Sequence, residues 1–283
     1  MITAEFLSTF AKTHDILIGT CDASPLNPDN LKKSDFVPFV TKDINKRTNP
    51  ASILKNAKSV IAIGVGQNIS ASYLSKGTAE ISSLGVDGDY HKRVKSLLYK
   101  LVDEIKKHAD LKYKILVDSP TLDERAFAHR AGLGFFGLNG LLISERFGSF
   151  FNIGLLITDI AIETTSKEKP RACPPNCRLC IKSCPNNAIE NALNASLCIS
   201  YLTQKDKLTD HEEKLLHNQL YGCDICQNVC PFNKHSQKYY VNLDEWLKMD
   251  DSDFNNKYGH TAMLWRGSEI LKRNGNIIGS QSK

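Results

Sequence analysis

Two stretches, "CRLCIKSCPNNAI" at residues 177–189 and "CDICQNVCPFN" at residues 223–233, repeat one pattern, Cys-x2-Cys-x3-Cys-Pro. The 283-residue chain has nine cysteines. Eight of them, Cys173, Cys177, Cys180, Cys184, Cys198, Cys223, Cys226 and Cys230, crowd into residues 173–230, and the ninth is Cys21. A disulfide framework belongs to oxidising compartments. The N-terminal "MITAEFLSTFAKTHDI" has no long apolar region and reads as an amphipathic helix rather than a signal peptide. A cytoplasmic protein with reduced thiols is expected, and clustered reduced thiols bind metal. Two Cys-x2-Cys pairs would suit zinc. The third cysteine of each run, followed at once by Pro185 or Pro231, instead matches the tail of the bacterial ferredoxin run, whose fourth cysteine ligates the other cluster. Crossing the fourth ligands assigns one 4Fe–4S cluster to Cys173, Cys177, Cys180 and Cys230. The other falls to Cys184, Cys198, Cys223 and Cys226. One departure is the three-residue spacing "PPN" between Cys173 and Cys177, where ferredoxins have two residues. Cys21 reads as a buried small hydrophobe.

The first 165 residues follow a different grammar. "SVIAIGVG" (59–66) is a β-branched apolar run ended by glycine, hence a strand. "DYHKRVKSLLYKLVDEIKKH" (89–108) carries apolar residues at steps of three and four, hence an amphipathic helix. "YKILVDS" (113–119) reads as a strand, and "TLDERAFAHRAG" as a helix stopped at Gly132. Residues 140–162 read as two apolar strands around a turn at Arg146–Ser149. Asp123, Glu124 and Arg125 read as a solvated first helical turn. "GLGFFG" (132–137) fits G-x-G-x-x-G, but a helix precedes it and a strand follows, the reverse of a dinucleotide fold. A glycine-rich turn there lets backbone approach something flat and large. No apolar run is long enough to span a membrane. The net charge of +5 permits a nucleic-acid partner without requiring one.

"VDSPTLDERAFAHRAGLGFFGLNGLLI", "RFGSFFNIGLLITD", the cysteine run, "CISYLT" and "YGCDICQNVCPFN", in that order, resemble epoxyqueuosine reductase, as do "DYH" (Asp89, Tyr90, His91) and "GHTAMLWRGSEILKRNGNII". The resemblance covers about residues 40–279. It implies an α+β chain in three parts. A cobalamin-binding α/β sandwich similar to reductive dehalogenases would span 1–165. A ferredoxin-like domain with two 4Fe–4S clusters would span 166–240, and a helical tail 241–283. The implied activity is reduction of epoxyqueuosine to queuosine at the wobble base of tRNA. Asp118 is then the proton donor. Corrinoid contacts are implied from Asp118, Asn139, Ser144, Phe147, Gly148, Ser200 and Tyr201, and tRNA phosphate contacts from Arg266, Lys272 and Arg273. The anticodon stem-loop and a low-potential donor such as flavodoxin or ferredoxin are the implied partners of a monomer. The chain departs from the family at Leu138, where a lysine is usual, and at Leu84 and Gly85, where "YA" is usual. It also ends where some members add helical repeats. By residue chemistry alone, Asp118 or Ser119 could equally cap the helix that follows. Two other functions stay open: a two-cluster electron carrier, and a related cobalamin reductase acting on another substrate such as an organohalide. The 165 residues outside the cluster region weigh against a plain carrier.

Overall fold

"SVIAIGVG" forms β2 (Ser59–Gly66), buried along nearly its whole length because both its faces are covered. In the computed structural model, which describes residues 2–30, 39–67, 79–86, 88–165, 168–170, 172–190, 192–234 and 238–281, this strand lies inside a four-stranded antiparallel sheet of order β1-β2-β7-β4. Its partners are β1 (Leu17–Asp22) and β7 (Phe151–Thr158), and β4 (Tyr113–Leu116) forms an edge beyond β7. The chain divides into two compact units, residues 1–66 with 91–177, and residues 67–90 with 178–283. The division is not the contiguous 1–165, 166–240 and 241–283 expected. Residues 67–90 join the second unit, and 241–283 is part of that unit rather than a separate tail. The reason is strand pairing: β3 (Ala79–Ile81) pairs with β8 (Gln219–Tyr221) and β9 (Tyr239–Val241), in the order β8-β3-β9.

In the first unit, α1 (Ala4–His14), capped by Thr3, packs on β1. After the short α2 (Ile44–Thr48) comes the second unit's α3 (Ser83–Val86). The long α4 (Tyr90–Lys106) then turns Val94, Leu98, Leu101, Val102 and Ile105 inward. It lies close on the sheet because β7 has Gly154 there. A Cβ at that position would stand 2.4 Å from Val94 Cγ1. Residues alternate across a strand, so the neighbouring Leu155 faces the other way, into a cluster with Phe127 and Ala128 of α5 (Glu124–Arg130). Gly132 at φ +80° ends α5, as expected of a C-terminal glycine.

Residues 140–162 do contain two strands, but they do not pair as a hairpin. β6 (Leu142–Ile143) pairs with β5 (Phe135–Phe136), and past the Ser144–Gly148 bridge the chain enters the main sheet as β7. Burial of β7 between β2 and β4 outweighs local pairing. A helix precedes β5 and a strand follows it, the element order expected around "GLGFFG".

The second unit has four short helices, α6 (Leu179–Ser183), α7 (Ile199–Leu202), α8 (Asp210–Lys214) and α9 (Ile225–Asn228), of which α6 and α9 carry a cysteine. Its apolar core lies in the part built from the three-stranded sheet with α10 (Leu243–Lys248), α11 (Asp251–Tyr258) and α12 (Ser268–Gln281). Trp246, Phe254, Tyr258, Leu271 and Ile278 fill it, and the indole N–H of Trp246 donates to Leu271 O at 3.1 Å. Asn274 of α12 is fully buried. Its amide donates to Thr203 O and Leu220 O, both at 2.8 Å, tying the helix to the segments after α7 and in β8.

Candidate functional site: thiol cage and carboxylate turn

The six cysteines of the second unit sit at the ends of short elements. Cys180 lies in α6 and Cys184 caps its C-terminus. Cys198 precedes α7, Cys223 follows β8, Cys226 lies in α9, and Cys230 follows it. Helices α6 and α9 pack against each other. Electrostatics shows which sulfurs are neighbours. Burial first, then Cys198, Asp224 and Cys184, against the Ile225 N–H, push the Cys223 thiol up to about 12. Cys198 is raised by burial and by Cys184, against the main-chain N–H groups of Tyr201 and Ser200. Cys226 is held well above its ordinary value by burial, then by Cys223, Cys198, Asp224 and Cys180. Cys198 and Cys223 each feel Cys184, and Cys226 feels Cys223, Cys198 and also Cys180, which was expected to serve the other cluster. Cys184 Sγ also accepts a hydrogen bond from Ala188 N at 3.3 Å. Buried thiolates that repel one another need a cation charge to be stable, which iron supplies. Among the described residues no three His, Cys, Asp or Glu side chains form the tight group of a single ion. Cys173 and Cys177 lie in the first unit, where Cys177 N closes a turn on Pro174 O at 2.9 Å. Cys21 is buried, and burial pushes its thiol up to about 12. It packs as a small buried hydrophobe, as expected.

The second constellation lies past the edge strand β4. Asp118 sits two residues beyond it with φ +51°, a left-handed conformation uncommon for a residue with a Cβ. Its carboxyl is largely exposed, and His91 Nε2 at the start of α4 stands 3.7 Å from Oδ2. Neither Asp118 nor Ser119 caps α5. Asp123 does, accepting from Ala126 N at 3.1 Å. Asp123, Glu124 and Arg125 are not the solvated turn that was expected. Asp123 pairs with Arg47 of α2 at 2.9 Å, and Arg125 donates to Gly140 O at 3.1 Å. Glu124 turns its carboxyl inward to accept from Asp118 N at 3.0 Å and Ser119 N at 2.7 Å. Burial pushes that carboxyl up to about 8, partly offset by the Ser119 N–H and raised again by Asp118. Sequence reasoning missed Arg47 and the inward turn of Glu124. The available signal was three carboxylates crowded into residues 118–124, more than one helical turn ordinarily leaves solvated.

The other expected contact residues have internal work. Asn139 is buried and its Oδ1 accepts from Leu141 N at 3.2 Å. Ser144 Oγ accepts from Phe147 N at 3.0 Å and donates to Gly148 O at 3.3 Å. Gly148 has φ +57°, and the Phe147 ring lies under Arg146. These four build the turns around β5 and β6. Ser200 and Tyr201 lie on α7 in the other unit. Arg266 pairs with Asp206, Lys272 pairs with Asp251 at 2.7 Å, and Arg273 donates to Asp206 O at 2.8 Å.

An antiparallel sheet with a left-handed, solvent-facing carboxylate past its edge strand, followed by eight cysteines in a two-cluster run, points to an iron–sulfur protein of mixed α+β build. Residues 173–233 match a family described as a 4Fe-4S double cluster binding domain. Residues 47–119 match one described as Epoxyqueuosine reductase QueG, DUF1730. Relatives named epoxyqueuosine reductase include that of Lactococcus garvieae, 34% identical over 83% of this chain and 72% of its own. The one from Bacillus subtilis is 33% identical over 83% of this chain and 66% of its own. An epoxyqueuosine reductase solved with a tRNA-Tyr epoxyqueuosine-modified stem loop superposes with a TM-score of 0.86 at 30% identity, covering 97% of this chain and 80% of that one. A Bacillus subtilis structure, with its catalytic aspartate loop swung out of the active site, gives 0.85 at 30% identity, covering 97% and 80%. A catabolic reductive dehalogenase, 12% identical with a TM-score of 0.50 over 99% of this chain and 36% of its own, shares the fold. The chain belongs to the epoxyqueuosine reductase family.

Proposed function

We propose that this chain reduces the epoxide of epoxyqueuosine in tRNA to the alkene of queuosine, with Asp118 as proton donor. The family relationship carries the reading, and the exposed, left-handed Asp118 at the sheet edge supports it. The reaction consumes two electrons and two protons, and the epoxide oxygen leaves as water. Bound cobalamin supplies a strongly reducing metal centre, while the 4Fe–4S clusters deliver electrons one at a time. The chain's own residues do the rest. The eight cysteines hold the clusters in the crossed arrangement given above. Asp118 holds a proton for the departing oxygen, and His91, 3.7 Å away, orients that carboxyl.

The chemistry of the peptide edges from residue 132 to 148 fits an amide-fringed corrin. Gly132, Gly140 and Gly148 have positive φ, and the side chains of Asn139 and Ser144 shape the turns. A bound corrin would meet these turns. Leu138, where the family usually has lysine, contributes no charge. The electron donor is a low-potential carrier of the flavodoxin or ferredoxin kind, and the protein acts as a monomer in the cytoplasm; among the described residues no helix is long and apolar enough to cross a membrane. Arg266, paired with Asp206, and Lys272, paired with Asp251, are the side chains that would contact phosphate. Arg273, bonded to main-chain carbonyls, is a scaffold residue that helps aim them.

The test is turnover. Anaerobically purified protein, loaded with iron, sulfide and cobalamin, is given epoxyqueuosine-containing tRNA and a low-potential reductant. Nucleoside mass spectrometry should show a product lighter by one oxygen. A protein that holds clusters and corrinoid but leaves the nucleoside intact acts on another substrate. One that binds no corrinoid is an electron carrier.

A further inference from the structure

The Glu124 side chain reaches back to the turn that carries Asp118. The main-chain N–H groups of Asp118 and Ser119 are consecutive donors, and both end on the Glu124 carboxyl, at 3.0 Å to Oε2 and 2.7 Å to Oε1. Consecutive N–H groups around a left-handed residue form a concave anion site. Here the chain fills that site with its own carboxyl. Glu124 is well anchored for this. It opens α5, whose cap Asp123 is paired with Arg47, whose Arg125 reaches Gly140 O, and whose Phe127 and Ala128 are fully buried. Asp118, by contrast, follows a strand at the sheet edge and holds a backbone conformation that side-chain-bearing residues adopt only when their surroundings impose it. The same turn is tightened by Ser119 Oγ, 2.6 Å from Thr121 Oγ1.

We infer that Glu124 is a positioning residue for the reaction: by holding both N–H groups of the Asp118 turn it sets where the proton-donating carboxyl is aimed. The inference rests on Asp118 being the proton donor. Glu124 itself touches no substrate. Its effect passes through the backbone, so it should appear in kcat and in the order of the turn, and not in substrate affinity.

The experiment compares E124A and E124Q with D118N and the parent, each as the full chain with clusters and cobalamin bound. E124Q is the variant safest for the fold, since it keeps size and one acceptor oxygen but places an NH2 against an N–H. Hydrogen exchange is read first, without tRNA. The amides of Asp118 and Ser119 should exchange at least about tenfold faster in E124A, with protection in β2 and β7 unchanged. Turnover is read next. Misplacing a reacting group by about 1 Å can cost about 10²-fold, so kcat should fall by that order in E124A and by less in E124Q, with KM for tRNA and iron content within about twofold of the parent. Formate should enter the vacated anion site and restore part of the E124A rate with saturation. Unchanged exchange of the two amides, or faster exchange with an unchanged kcat, overturns the inference while an inactive D118N keeps the proton-donor reading. A fully active D118N overturns both.

Discussion

The two halves of the chemistry rest on opposite kinds of order. Around the thiol cage, regular structure is scarce. Helices α6, α7 and α9 have five, four and four residues, far below the length at which a helix stands alone. Around Asp118 the scaffold is an open antiparallel sheet packed on an apolar cluster, and the carboxylate sits on a left-handed turn just past its edge strand. One region is organised by the metal it binds, the other by packing. Function in the first depends on ligand identity, and in the second on aim.

The largest effect should therefore come from the metal side. Cys226→Ala removes a ligand of the second cluster. Iron should drop from about eight atoms per chain to about four or fewer, and hydrogen exchange over 179–183, 199–202 and 225–228 should lose protection, because cluster binding is coupled to folding. Full iron retention would show that Cys226 is not a ligand. On the packing side, Asp118→Asn should leave iron content and melting unchanged while turnover falls about 10²–10⁴-fold, the usual scale of general acid catalysis. If it also unfolded the protein, the contrast between aim and architecture would fail.

Trp246→Ala tests whether the second unit has an apolar core independent of its clusters. Trp246 is fully buried among Phe254, Tyr258 and Leu271, so denaturant unfolding should show a loss of about 3–5 kcal/mol. Stripping iron with a chelator should leave Trp246 emission blue-shifted if that core stands alone.

The smallest effect is a pH dependence. Folding raises the Glu124 carboxyl from 4.5 to about 8. Between those values the folded chain keeps a proton that the unfolded chain has lost, so stability falls as pH rises. The contribution is full below about 4.5 and gone above about 8. Glu124→Gln should flatten that slope in urea melts taken across this window. An unchanged slope would place its origin elsewhere.

Legibility differed between the regions in a way their physics explains. The two-cluster domain was readable because cluster chemistry constrains residue identity and local spacing, both one-dimensional properties. Strand β2 and helix α4 were readable because each buries one continuous run or stripe of side chains. Strand β1 passed unremarked, and β6 and β7 appeared to pair when their partners are β5, β2 and β4. Strand pairing is a long-range choice made by burial, and flanking residues do not announce it. The acidic run at 123–125 misled for the same reason. Its charges look solvated until Arg47, Gly140 and the Asp118 turn are brought to them.

By itself, the order of amino acids determined the metal chemistry, the α+β class and Asp118 as a carboxylate ending an apolar strand, since each follows from residue identity within a few positions. Only the tertiary structure decided that 67–90 builds the second unit, and that Glu124 rather than a cap residue holds Asp118 in its left-handed turn. Those outcomes depend on which distant groups burial brings within hydrogen-bonding distance, and that is settled by the competition of all contacts at once.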